Sequence, residues 1–235
     1  MKKRSKRYKE IIQKIDKDKL YSLDEAIGIV KETAKAKFDE TVELSIRLGI
    51  DTSNQNTQVR GAVTLPKGRG KKIKILAIAE GKDASEAKKE GAEFVGGDEL
   101  IEKIQNGWIG FDSVVTTPDM VKKLAKAGKV LGPKGLMPSP KTGTVTNDLG
   151  KVIREMKLGR AEFYNDKFGN LHLAVGKNSF SIADLKENIG VLIKTVLKEK
   201  PPQAKGAYLQ KVYISTSMGP SIKLDVKQLA ETTRV

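Results

Sequence analysis

The sequence contains no cysteine, so neither a disulfide framework nor a thiolate metal site can form. Histidine occurs once, as His172, at an alternating position of a predicted strand. Without a second histidine or any cysteine, a nucleophilic triad or a zinc site has no partners to recruit. Phosphate-cradling motifs are absent too. Gly68 and Gly70 are followed by Ile73 where a dinucleotide fingerprint needs its third glycine, and no Gly-x4-Gly-Lys-Ser/Thr run occurs. The acidic residues are spread over helix surfaces and no carboxylate pair stands out. No enzyme, cofactor or metal is therefore expected. Apolar runs are short, none near the ~20 residues that span a bilayer. The opening Met1-Lys-Lys-Arg-Ser-Lys-Arg7 lacks the apolar core of a signal peptide. The expected setting is the cytoplasm, with no membrane partner.

Aromatics are scarce as well, 5% with a single Trp108, within an apolar content of 38%. That is low for a tightly packed monomeric enzyme and ordinary for a protein whose surface is largely given to a polyanion. What the chain has in excess is positive charge: 44 Lys and Arg against 29 acids, net +15, with a pI near 9.7. Such a balance favours nucleic acid or an anionic surface as partner and says nothing about fold.

Residues 1 to 19 carry nine Lys or Arg against three acids, with Tyr8, Ile11, Ile12 and Ile15 as a helical stripe. This reads as a solvated helix face or as a clasp for RNA backbone. Ser22-Leu-Asp-Glu25 is a capping-box pattern that opens a second helix. After Ala36-Lys-Phe-Asp-Glu-Thr41 a strand alternates through Val42, Leu44, Ile46 and Leu48. On pattern alone Phe38 reads first as a buried helix-to-strand packing residue, and second as a stacking platform beside Lys37. A polar loop, Asp51 to Gln58, precedes another strand, Val59 to Leu65.

Pro66-Lys-Gly-Arg-Gly-Lys-Lys72 breaks the composition and reads as a hinge. Beyond it Ile73 to Ala79 is nearly continuous in apolar residues, like a strand buried on both sides. A short helix from Ser85 to Glu90, a helix from Asp98 to Asn106 and a strand from Asp112 to Thr116 follow. Thr117-Pro118 then caps another helix. Gly128 to Gly143 holds three of the eight prolines and four glycines, with Lys129, Lys134 and Lys141, and predicts a long irregular loop. Asn147 or Asp148 caps a helix with Val152, Ile153 and Met156.

After Lys157-Leu-Gly-Arg160 the alternating style returns. Ala161 to Tyr164 and Leu171 to Val175 flank Asn165-Asp-Lys-Phe-Gly-Asn170, which reads as a hairpin. Asp184 opens a helix that Pro201-Pro202 ends. Last comes Lys211-Val-Tyr-Ile-Ser-Thr-Ser-Met-Gly-Pro-Ser-Ile-Lys-Leu-Asp225, two strands about a Gly-Pro turn. On its residues this loop reads first as an ordinary polar turn. The second reading has its hydroxyls and N–H groups on sugar or phosphate oxygens and Met218 against a base. The two outer segments share one-face-buried strands and the middle does not. The expected build is thus α/β and α+β in two domains: a discontinuous α+β domain, 1–67 with 159–235, around a mainly antiparallel sheet, and an inserted layered α/β (Rossmann-like) domain, 68–158.

Ala36-Lys-Phe-Asp-Glu-Thr-Val-Glu43, Gly132-Pro-Lys-Gly-Leu-Met-Pro-Ser-Pro-Lys-Thr-Gly-Thr-Val145, Asn165-Asp-Lys167 and Ser217-Met-Gly-Pro220 together resemble the bacterial large-subunit ribosomal protein L-one family, in the right order and over essentially the whole chain. The resemblance implies an rRNA-binding discontinuous domain and a place in the large subunit, at the mobile stalk beside the tRNA exit site. The implied partners are large-subunit rRNA, exit-site tRNA, other ribosomal components and the protein's own mRNA, whose translation it would repress. The family's RNA motif falls here on Lys37, Phe38, Thr41 and Glu43, with Ser215, Thr216, Ser217, Met218 and Gly219. Asp166 and Lys167 are secondary candidates. Some relatives carry Thr where Ser217 stands, which keeps the hydroxyl. Two other readings compete: a generic polyanion binder that follows net charge alone, and a nucleotide-using enzyme built on the inserted unit.

Overall fold

The computed structural model describes residues 5–13, 15–16, 18–53, 57–204 and 206–232. The basic positions 2, 3, 4, 14 and 17, the middle of the Asp51–Gln58 loop and the final residues 233–235 lie outside the described residues. The chain divides into two compact units, Met1–Gly70 with Ala161–Val235, and Lys71–Arg160.

The first unit begins with α1 (Lys6–Ile12), whose Ser5 hydroxyl accepts from Tyr8 N. In α2 (Leu23–Thr33) the Ser22 hydroxyl accepts from Glu25 N, while the Glu25 carboxylate pairs with Lys19 at 3.8 Å. The strand β1 (Thr41–Leu48) buries every second side chain, the period-two pattern of a sheet with one wet face. Next, β2 (Arg60–Thr64) leads to a turn around Pro66.

The inserted unit opens with β3 (Ile75–Ile78), buried at all four positions. Then come α3 (Gly81–Lys89), β4 (Phe94–Gly96), α4 (Asp98–Gln105), β5 (Ser113–Thr116) and α5 (Pro118–Leu124). The three strands are parallel in the order β4-β3-β5. Packing covers both faces: Ile75, Ala77, Ile153 and Met156 on one side, Leu76, Ile78, Ile104 and Leu124 on the other. Residues 128–143 are more regular than expected, because Gly128–Leu131 forms the short helix α6 and Pro140–Thr142 a 3-10 turn. Leu131 is buried, and Leu136 and Met137 pack against the same core, so apolar anchoring orders what proline and glycine content suggested was loose. The helix α7 (Leu149–Leu158) starts at Asp148, whose carboxylate accepts from Lys151 N, and stops at Gly159 in the left-handed region.

Back in the first unit, β6 (Arg160–Tyr164) pairs with β2 in a two-stranded sheet of its own. The antiparallel partner of β7 (Asn170–Lys177) is β1. Residues 165–170 therefore join two different sheets and form no hairpin; Asn165 N bonds to Val59 O at 3.1 Å and its Oδ1 accepts from Val59 N at 2.7 Å, tying the turn to β2's lead-in. The long α8 (Ile182–Lys198) starts earlier than Asp184, since the Ser181 hydroxyl accepts from Asp184 N and is the cap. The strands β8 (Leu209–Thr216) and β9 (Ile222–Leu224) then complete an antiparallel sheet in the order β7-β1-β8-β9, and α9 (Val226–Thr232) follows.

Leu185, Ile189, Leu192, Ile193 and Val196 of α8 and Ile27 and Val30 of α2 close the inner face over Leu44, Ile46, Val175 and Ile214. Each such side chain contributes about 1.5–3 kcal/mol by burial. The one polar side chain of α8 fully inside, Asn188, is satisfied: its Nδ2 donates to Val175 O at 2.8 Å and Gly68 O at 3.1 Å, and its Oδ1 accepts from Lys67 N at 3.1 Å. The sheet's other face is open.

Candidate nucleic-acid interface

The alternation of β1 extends one residue upstream. Positions 42, 44, 46 and 48 point inward, and so does 40, which is a glutamate only 1% exposed. Its carboxylate accepts from Ala36 N through one oxygen and from Met218 N through the other, each at 3.0 Å. Its own carbonyl accepts from Asn178 N at 2.8 Å. Burial pushes the Glu40 carboxyl up, but the Met218 N–H, the Thr216 hydroxyl, the Ala36 N–H and the nearby Arg7 guanidinium outweigh it and hold it below its usual range. The Thr216 hydroxyl makes no well-formed hydrogen bond of its own, yet lies close enough to stabilise the charge. One carboxylate thus ties together two loops that are 178 residues apart in sequence.

A second set of bonds locks the same junction. Ser217 N donates to Thr41 O at 3.0 Å, Thr41 N donates to the Ser217 hydroxyl at 3.1 Å, and the Lys177 ammonium donates to the Thr41 hydroxyl at 2.8 Å. Asp39 holds Ser179 through its backbone N–H at 3.0 Å and its hydroxyl at 2.8 Å. Gly219 N donates to Thr216 O at 3.1 Å, and a Cβ at Gly219 would run into the Thr216 hydroxyl. That close approach, rather than backbone dihedral freedom, is why glycine is needed there.

What these bonds leave outside is informative. Phe38 is 56% exposed and Met218 51%, two large apolar side chains on the two tied loops. Phe38 is therefore not the buried packing residue its position suggested. Lys37 beside it is exposed. Ser217 is exposed, Ser215 half-buried, and Glu43 exposed on the open face. Thr216 is buried and Thr41 half-buried with its polar atoms engaged, so these two build the junction rather than present themselves to a ligand.

Asp166 and Lys167 are placed elsewhere. They lie beyond β7's start, which pairs with Arg47, six residues along β1 from Thr41 and so about 20 Å away at ~3.4 Å per residue. Asp166 is occupied with its own turn: Oδ1 accepts from Phe168 N at 2.8 Å and Asn170 N at 2.7 Å, and Oδ2 from Asn170 Nδ2 at 3.0 Å. Desolvation works against its charge, but these bonds and the nearby His172 keep its carboxyl below the usual range. Lys167 is exposed with its ammonium 5.2 Å from the Phe168 ring centroid, and Phe168 is itself exposed. Arg47 donates to Phe168 O.

Between these two ends runs the open face of the sheet. Glu43 lies between Ala174 and Ser215, Ser45 between His172 and Tyr213, and Arg47 between Asn170 and Lys211, while Tyr213 also faces Lys223 on β9. The Ser45 hydroxyl and His172 Nδ1 are 3.0 Å apart. Hydroxyls, an imidazole and cations on a shallow surface, with exposed Phe and Met at its ends, suit ribose and phosphate oxygens and an unstacked base. Glu40, Ser45, Arg47, Phe168 and Tyr213 were not among the sequence-predicted residues. The period-two pattern contained the signal for Glu40 and Ser45; the cross-strand register that gathers the others is not local information.

In the inserted unit, the segment after α6 is fixed by Arg160, which donates to Thr142 O at 2.6 Å and pairs with Glu155. Lys129 and Lys134 are exposed; the side chain of Lys141 is not described. At the C-terminal edge of the parallel sheet Lys123 bridges Glu80 at 3.2 Å and Asp98 at 3.0 Å. Those carboxylates oppose a phosphate in the crevice where nucleotides enter such sheets.

Comparison with known proteins places the chain among relatives of one family. Residues 30–220 match the Ribosomal protein L1p/L10e family. The Large ribosomal subunit protein uL1 of Kosmotoga olearia is 48% identical over 231 residues, covering 98% of this chain and all of the relative. The protein of the same description from Thermus thermophilus is 49% identical over 226 residues, covering 96% and 99%.

Proposed function

The chain belongs to the Ribosomal protein L1p/L10e family, and from that premise we propose that it binds large-subunit rRNA through the first unit, at the face framed by Phe38 and Met218. It is a structural protein of the large ribosomal subunit and not an enzyme. The observation that carries the reading is the Glu40 junction, which spends a buried charge on holding two exposed apolar side chains and a row of hydroxyls in one place. Lys37, Phe38, Glu43, Ser215, Ser217 and Met218 make the contacts; Thr41, Thr216 and Gly219 shape the loops; Lys167 adds a phosphate contact at the far end, over a turn that Asp166 organises. With its rRNA the protein forms the mobile stalk at the tRNA exit site and meets the departing tRNA there. The same surface, presented with a similar fold in its own mRNA, represses translation of that message.

The test is competitive binding. Met218→Ala and Phe38→Ala should weaken binding to the rRNA fragment far more than binding to random RNA, since contacts to bases and sugars specify while lysines attract without discrimination. Equal losses on both RNAs would favour the generic polyanion reading. Repression is tested by translating the protein's own message in vitro with wild-type chain and with Met218→Ala; equal repression by both would remove that part.

A further inference from the structure

The N-terminal helix lies outside the segment that matches the family, which begins at residue 30, and the interface described above uses its charge only through Arg7, which acts on Glu40. It is nevertheless fastened to the same body. Ile11 and Ile15 are buried in the core of the first unit, and the Tyr21 hydroxyl accepts from Asp16 N at 3.0 Å. Tyr21 N in turn donates to Lys223 O at 3.0 Å, which fixes the segment to β9. From α1, Arg7 reaches the Met218 loop, donating from Nη2 to Met218 O at 3.4 Å, and its charge acts on Glu40.

We infer that α1 is a second arm of the RNA interface, supplying phosphate contacts from Lys6, Arg7 and Lys9 beside the Met218 loop. The inference rests on the RNA reading of that loop. A guanidinium has five N–H donors, and Arg7 directs one nitrogen at a loop carbonyl, leaving donors for an anion. It forms no ion pair with a carboxylate among the described residues. Lys6 and Lys9 are exposed, three apart on one helix face, and likewise form no ion pair among the described residues. Some lysines elsewhere are engaged by carboxylates, as Lys67 is by Asp184 and Glu187, and Lys123 by Glu80 and Asp98; what sets Lys6 and Lys9 apart is their place on the helix whose Arg7 reaches the Met218 loop. Cations without acceptors specify no base, but they hold a phosphate chain in register for the groups next door that do. Because Arg7 also bonds to the loop carrying Met218, occupancy by a phosphate and the position of Met218 are coupled through one side chain.

The test uses the full chain, an rRNA fragment and a random RNA of equal length, with affinity measured across salt concentrations. Lys6→Gln/Lys9→Gln, which touches no loop contact, should lower the slope of log K against log salt by about one to two and weaken both RNAs alike. Arg7→Gln should lower the slope by about one more and also reduce the preference for rRNA, whereas Arg7→Lys should restore the slope. An unchanged slope in all three variants overturns the arm. If Arg7→Lys and Arg7→Gln lose affinity equally at constant slope, Arg7 serves only the loop's shape and the phosphate role for it is overturned. The underlying reading fails separately: wild-type chain without preference for rRNA, and Met218→Ala without effect, would remove both.

Discussion

The two units solve sheet burial in opposite ways, and the difference decides which of them has a surface to offer. In the inserted unit β3 is buried at every position, with apolar clusters on both faces. Its strands are consumed by packing, and the crevice at their ends is closed electrostatically by Glu80, Lys123 and Asp98. In the two-ended unit the helices cover one face only. The other carries Glu43, Ser45, Arg47, His172, Tyr213 and Lys211, with an exposed aromatic near each end. An antiparallel sheet can leave a face wet where a parallel one between helices cannot. The proposed interface follows from that asymmetry and from one buried carboxylate at its rim.

Breaking that carboxylate should have the largest effect. Glu40→Ala strips two backbone N–H groups of their acceptor and is expected to cost about 2–4 kcal/mol of stability, with rRNA affinity down on the order of 100-fold because the loops part; denaturant unfolding and filter binding measure the two. Next come the exposed pair. Phe38→Ala and Met218→Ala should each lose about 1–3 kcal/mol of rRNA binding with stability nearly unchanged, the size of a base-stacking contact. Gly219→Ala should destabilise by about 1–3 kcal/mol through overpacking against Thr216, and most of that loss should vanish in a Thr216→Ala background, where the clashing hydroxyl is gone.

Acid should weaken the first unit more gently. The Glu40 carboxyl is held below its ordinary value of 4.5, and that of Asp166 below 3.8. A depressed folded-state pKa stabilises above the unfolded value, and the gain is lost as pH falls through the folded one. Unfolding of the first unit should therefore ease below about pH 4, and Glu40→Gln should flatten the profile there. The smallest effect is expected in the inserted unit. Lys129→Gln/Lys134→Gln should leave the preference for rRNA over random RNA intact and change affinity by no more than a few-fold, through salt-dependent attraction alone.

Much of this architecture could be read along the chain. The alternation from Val42 to Leu48 gave β1 and its buried face, and the apolar run at Ile73 to Ala79 gave a strand covered on both sides. The breaks at Pro66 and Gly159 marked where the style changes. What escaped was non-local. β6 and β7 are separated by a turn-like segment, so local rules pair them, yet each finds its partner far away in β2 and β1. Phe38 follows a helix and precedes a strand, a place where aromatics pack; its exposure becomes intelligible only with Glu40, not Phe38, filling the inward position. Glu40 itself is at the right parity, but a carboxylate at that place in a strand pattern looks like the end of the strand. Its partner, the Met218 N–H, is at the other end of the sequence. Gly128 to Gly143 erred the other way, since proline and glycine content hid the anchoring of Leu131, Leu136 and Met137.

The most direct measurement replaces residues 71–160 with a short Gly-Ser linker and determines affinity and rRNA preference of the remaining unit, after circular dichroism confirms its fold. The account predicts an affinity for the rRNA fragment within about tenfold of the full chain, and a preference over random RNA that Met218→Ala still abolishes. A folded unit that binds rRNA no better than random RNA would contradict it.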